Sequence, residues 1–131
     1  MTVLADTSAW IEYLRATGSA PDRALESAML AGELATTDPV ALEVLAGARD
    51  DERAEQLQRL LDSCIQLPQE PWTDAEVAAA LYRACRKAGE TPRSLIDCTI
   101  AAVAVRSEVP VLHQDRDYEA LARHTELRLV A

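Results

Sequence analysis

The stretch Val3-Leu4-Ala5-Asp6-Thr7-Ser8-Ala9-Trp10-Ile11-Glu12-Tyr13-Leu14 decides how the rest of the chain is read. Three apolar residues ended by an acid read as a short buried strand, Val3 to Ala5. Thr7 or Ser8 then caps a helix that carries Trp10, Ile11, Tyr13 and Leu14 and stops at Gly18. Strand followed by helix repeats outward from there. Pro21 and Asp22 open a helix with Leu25, Met29 and Leu30, ended by Gly32. Residues 33–37 read as a second strand. Asp38 as cap and Pro39 at the first helical position start a helix that Gly47 ends, and residues 50–62 form a charged amphipathic helix with Leu57, Leu60 and Leu61 on one side. Residues 65–67 are a third strand.

Thr73 and Glu76 have the spacing of a capping box, which predicts a helix over 73–88. Ser94 to Arg106 is the most apolar helix in the chain, which places it centrally. Residues 109–112 are a fourth strand with Pro110 near its start, where a missing donor matters least. A short helix over 117–123 and a last strand over 127–130 complete the order. The alternation predicts one three-layer α/β/α domain over residues 1–131, with a mainly parallel sheet of about five strands.

Composition narrows the class. The chain has 131 residues, 49% of them hydrophobic, enough for a core without staples. No apolar run reaches the length of a membrane span, and the first residues lack a basic, then apolar, leader pattern, so a cytoplasmic protein is expected. Cys64, Cys85 and Cys98 are odd in number and never spaced as C-x-x-C, which predicts packing residues and no zinc site. The net charge of -9 argues against a simple electrostatic nucleic-acid binder. The acid is either solvated surface or partly gathered in a pocket that holds a cation.

Ligands of open α/β sheets bind at the carboxyl ends of the strands. Asp6 ends the first strand, and Asp115 and Asp117 follow the fourth. Glu43, between Leu42 and Val44, and Asp97, between Ile96 and Cys98, sit in apolar helical surroundings, where a carboxylate needs a partner or a metal. Asp6, Glu43, Asp97 and Asp115 are therefore expected to converge, although Asp115 also suits a helix cap. Carboxylates crowded together repel and take up protons unless a cation joins them. An all-oxygen set favours Mg²⁺ or Mn²⁺ over zinc. Such an ion activates water and stabilises a leaving oxygen, which suggests phosphodiester hydrolysis.

Four segments carry a resemblance. Residues 5–15 resemble the opening motif of PIN-domain toxins of the VapC family, a hydrophobic strand followed by Asp-Thr/Ser-Ser and a helix. Leu42-Glu43-Val44-Leu45-Ala46-Gly47 looks like the second motif. Leu95-Ile96-Asp97-Cys98-Thr99-Ile100-Ala101-Ala102 resembles the third, and His113-Gln114-Asp115-Arg116-Asp117-Tyr118 the fourth. They stand in the family's order and span almost the whole chain. The resemblance implies a Mg²⁺- or Mn²⁺-dependent endoribonuclease held by a cognate VapB-like antitoxin, with a homodimer inside a larger complex.

Carried over by position, Asp6 and Asp97 match the principal metal-binding acids, and Glu43 and Asp115 the other pocket acids. Asp117 supports the metal through water. Ser8 matches a small polar residue that hydrogen-bonds a pocket carboxylate or phosphate. His113 stands where many relatives have Thr or Ser, and Tyr118 where Phe is commoner, which leaves open whether Asp115 or Asp117 is the closer ligand.

His113 reads as a support for the Asp115 loop rather than a base, and His124 as surface. Arg93 is expected to hold a phosphate, with Arg15, Arg49, Arg86, Lys87 and Arg116 along an RNA path. Trp10, Tyr13, Leu14, Leu25 and Met29 are candidates for an antitoxin groove as well as for core. The alternative function is a PIN-like module that binds protein without catalysis. A phosphotransfer domain fits less well, since Ser8 stands where a dehalogenase-like pattern needs a second Asp.

Overall fold

The computed structural model describes residues 1–130; of the expected 1–131 span, Ala131 lies outside them. Four strands alternate with seven helices. In chain order these are β1 (Val3–Ala5), α1 (Thr7–Leu14), α2 (Ala20–Leu30), β2 (Leu34–Thr36), α3 (Asp38–Ala46) and α4 (Asp51–Asp62). Then come β3 (Ile65–Gln66), α5 (Pro71–Lys87), α6 (Leu95–Ser107), β4 (Val111–Leu112) and α7 (Arg116–His124).

The sheet runs β3-β2-β1-β4, and every pairing is parallel. All four strands therefore end on the same edge. The expected fifth strand over 127–130 is reduced to a single parallel bridge between Leu129 and Val111. Its main-chain bonds, Val111 N–H to Arg128 and Val130 N–H to Val111, both fall on one residue of β4. A two-residue β4 offers no further rung for a ladder.

β1 is buried along its whole length, as a strand covered on both faces must be. The helices pack in two groups, α1 with α2, and α5 with α6 and α7; α3 touches α1, α4 and α6. Small residues let α6 lie in the middle: Cys98, Ala101, Ala102 and Ala104 are buried along with Ile100 and Val103. Trp10, Leu4, Leu25, Tyr118 and Leu121 are fully buried as well. Leu25 is thus core. All three cysteines are free and buried, as packing residues should be.

Several helix starts differ from the expected ones. Asp6, not Thr7 or Ser8, caps α1 by accepting from the Ser8 N–H. Thr37, not Asp38, occupies the cap position of α3, and the Asp38 carboxylate reaches across to the Gln69 N–H. The Thr73 capping box does not form, because α5 begins at Pro71, whose missing N–H suits the first turn. At the other end of α5, Gly89 adopts φ +85° while Glu90 N–H closes on Cys85. Glycine takes that left-handed turn without strain.

Candidate metal centre

The common edge of the sheet brings the acids together. Asp6 follows β1 directly. Asp115 caps α7 just past β4, and Asp117 lies in the first turn of that helix. Asp97 lies in the first turn of α6, which Ser94 caps. Two helix N-termini therefore point their partial positive charge toward this group.

Carboxylate oxygens of Asp97, Asp115 and Asp117 all lie within 4.8 Å of one another. Asp97 is only 8% exposed. Burial pushes its carboxyl up to about 8, and the charges of Asp6, Asp115 and Asp117 push the same way. The neighbouring cation does not relieve it. Arg93 reaches Asp115 Oδ1 with Nη2 at 3.0 Å and Asp117 Oδ1 with Nε at 3.4 Å. Asp117 also accepts from the main-chain N–H groups of Arg93 and Ser94, which ties the loop before α6 to α7.

Asp6 stands beside this trio and is clamped by three hydrogen bonds. Ser8 donates to Oδ2 from its N–H at 2.9 Å and from its hydroxyl at 2.6 Å. Tyr118 donates its buried hydroxyl to Oδ1 at 2.6 Å. Ser8 Oγ in turn accepts from the Gln114 N–H at 2.9 Å, so the end of β1 is knitted to the loop after β4. His113 Nδ1 accepts from the Asp115 N–H at 3.0 Å, the supporting part expected of it. His124 is half-buried and paired with Glu90, not a plain surface residue.

Glu43 departs from expectation. It is exposed on α3, next to a Leu42 that is 67% exposed, and it is not one of the three clustered acids. Its carboxylate accepts from the Thr7 hydroxyl at 2.7 Å, one residue beyond Asp6. Glu43 thus sits at the rim and is joined to the centre through α1.

The donor set fits a hard divalent cation. The available oxygens are all carboxylate, and Asp97 holds a proton when no cation shares its space. That is the situation an ion relieves. Sequence reasoning overlooked Tyr118 and Thr7. A Tyr where Phe is usual was a usable signal, since a buried phenol needs an acceptor and the fold offers Asp6.

Comparison with known proteins adds three findings. The PIN domain family matches residues 3–124. Ribonuclease VapC11 of Mycobacterium tuberculosis is 44% identical over 130 residues, covering 96% of each chain. Among solved structures, VapBC2 from Rickettsia felis, bound to a promoter DNA fragment, has a TM-score of 0.73 at 16% identity and covers 99% of this chain and 98% of its own. VapBC-5 of Mycobacterium tuberculosis, a member of the VapBC toxin-antitoxin systems, has a TM-score of 0.66 at 24% identity over the same shares. The two structures support the fold alone.

Proposed function

Since the chain belongs to the PIN domain family and to its VapC-type branch, we propose that it is a toxin of a toxin–antitoxin pair that acts as an endoribonuclease. The observation that carries this reading is the gathering of Asp97, Asp115 and Asp117 within 4.8 Å, with a buried Asp97 that no cation balances. The relatives named ribonucleases point the same way.

In this reading Asp97, Asp115 and Asp117 hold Mg²⁺ or Mn²⁺, with Asp6 completing the pocket from β1. When bound, the ion supplies an activated water and stabilises charge on the phosphodiester. The remaining parts belong to the protein. Tyr118 and Ser8 fix the Asp6 carboxylate. Asp117 fixes the backbone at Arg93 and Ser94, hence the start of α6 and the place of Asp97. Glu43 stands at the rim, where it can accept a proton from or orient a group entering the site. Ser8 and Arg93 are the candidates for contact with the substrate phosphate.

Two surfaces suit partners. A groove of about 340 Å³ runs between α1, α3 and α4, lined by Trp10, Ile11, Leu14, Val44, Ala48 and Leu57, with Arg15, Arg53 and Glu43 among its polar residues. We assign it to a VapB-like antitoxin segment. Tyr13 and Met29, expected there, contact each other instead. Leu42, Leu95 and Ile96 are exposed on α3 and α6, which pack together; an apolar patch of this kind suits a homodimer. No helix among the described residues is long and apolar enough to cross a membrane. We place this single-domain protein in the cytoplasm.

The test is cleavage of total cellular RNA by the purified protein with Mg²⁺, Mn²⁺ or EDTA, beside Asp6→Ala and Asp97→Ala variants shown to be folded. Discrete fragments that vanish with EDTA and in both variants are expected. Equal cleavage by all three proteins would overturn the site assignment. Divalent binding by the protein without cleavage of any RNA would favour a non-catalytic binding module.

A further inference from the structure

Only 13 residues of the chain are Lys or Arg against 22 acids, so any gathering of cations is informative. Three of them line one cleft of about 310 Å³, whose walls are Gly89, Thr91, Arg93, Arg116, Ala120 and Arg123, together with Glu90 and Asp117. The volume is in the range of ligand pockets. Arg93 and Asp117 belong both to this cleft and to the metal centre, so the two spaces adjoin.

We propose that this cleft, between the end of α5 and the face of α7, binds the phosphodiester backbone of the RNA strand beside the scissile phosphate. The proposal rests on the nuclease reading above and adds where the strand leaves the metal centre.

The charges support it. Arg116 and Arg123 lie seven residues apart on α7, about two turns along one face of the helix, so both line the same groove. Arg116 is exposed and has no ion-pair partner among the described residues. Arg123 is held by Glu90, which also receives His124. That contact fixes the guanidinium at the cleft wall while leaving it 55% exposed. Arg93 now balances Asp115 and Asp117. A divalent ion on those carboxylates would share their charge with Arg93, whose side chain is 59% exposed and open to an anion as well. The cleft carries three guanidinium groups against the carboxylates of Glu90 and Asp117. A guanidinium fork suits phosphate oxygens.

The test is fluorescence anisotropy of a short fluorescein-labelled oligouridylate with the whole protein in Ca²⁺, titrated over a range of KCl. Arg116→Ala and Arg123→Ala should each weaken binding and lower the slope of log affinity against log salt by about one. Arg59→Ala, an exposed position on α4 outside the cleft, should bind as wild type does. If wild type binds and both cleft variants match it in affinity and slope, the cleft assignment is overturned while the nuclease reading stands. If wild type binds no RNA at any salt, the nuclease reading is overturned and this site with it.

Discussion

Asp74 and Asp97 are both buried aspartates on neighbouring helices, yet the protein treats them in opposite ways. Asp74, on α5, is 1% exposed. Arg106 of α6 grips it with two bonds, of 2.9 and 3.0 Å, and the Glu70 N–H adds a third at 2.8 Å. Burial alone would raise its carboxyl, but the Arg106 hydrogen bonds and charge and the Glu70 N–H hold it below the ordinary value. Asp97 is buried almost as deeply among other acids and goes the other way, up to about 8. A buried carboxylate with its own cation is a structural clasp, here joining α5 to α6. A buried carboxylate without one is left to the repulsion of its neighbours.

The difference breaks first at Asp74. Asp74→Ala leaves Arg106 half-buried with only Glu70 at 3.6 Å and the Pro68 carbonyl. Urea unfolding should show a loss of about 3 kcal/mol. Divalent-ion binding by the molecules that remain folded should be unchanged. An Asp74→Ala protein as stable as wild type would mean that the clasp contributes no more than a surface pair.

Tyr118 sharpens the other side. Tyr118→Phe keeps the ring and removes the hydroxyl that holds Asp6 Oδ1. Isothermal titration should show Mn²⁺ binding about tenfold weaker, the usual consequence of losing a partner that orients a ligand. Unchanged affinity would mean that Ser8 alone suffices to fix Asp6.

The smallest effect concerns pH. The ordinary carboxyl value for Asp97 is 3.8, and the folded one is about 8. In EDTA, between these two values, the folded state therefore holds a proton that the unfolded state has released. Stability contributed by that proton is whole below the lower value and is lost as pH rises toward the upper one. Asp97→Asn removes the penalty and should stabilise the EDTA-treated protein by about 1 kcal/mol above pH 8. It should also abolish stabilisation by Mn²⁺. A variant with the wild-type pH profile would show that Asp97 is already balanced, and the contrast with Asp74 would fail.

Much of this was readable from the chain. The Val3-Leu4-Ala5 run, the apolar Ser94–Arg106 segment and the glycines after helices fixed element type and order, because those signals are local. Asp6, Asp97, Asp115 and Asp117 were legible because each stands at a strand end or in an apolar helix start. Glu43 was misjudged as buried: its neighbours are apolar, but Leu42 on α3 faces outward. The start of α5 was missed because Thr73 with Glu76 and Pro71 are competing signals, and at the observed start the Asp74 carboxylate accepts from the Glu70 N–H. Asp97 stood out by its apolar neighbours Ile96 and Cys98, whereas nothing beside Asp74 marked it as buried, although the two positions are otherwise alike. Both lie in the first turns of helices with alanine-rich continuations.

The sequence by itself determined a parallel α/β domain and put acids where strands end, since hydrophobic period and turn residues act within a few positions. Only the tertiary structure decided which acids meet which cations. Arg106 closes on Asp74, Arg93 on Asp115 and Asp117, and the Tyr118 hydroxyl on Asp6 across 112 positions of chain. The physical reason is that desolvation and Coulomb energy depend on distance in space, so the charge state of a carboxylate is settled by neighbours that folding brings to it.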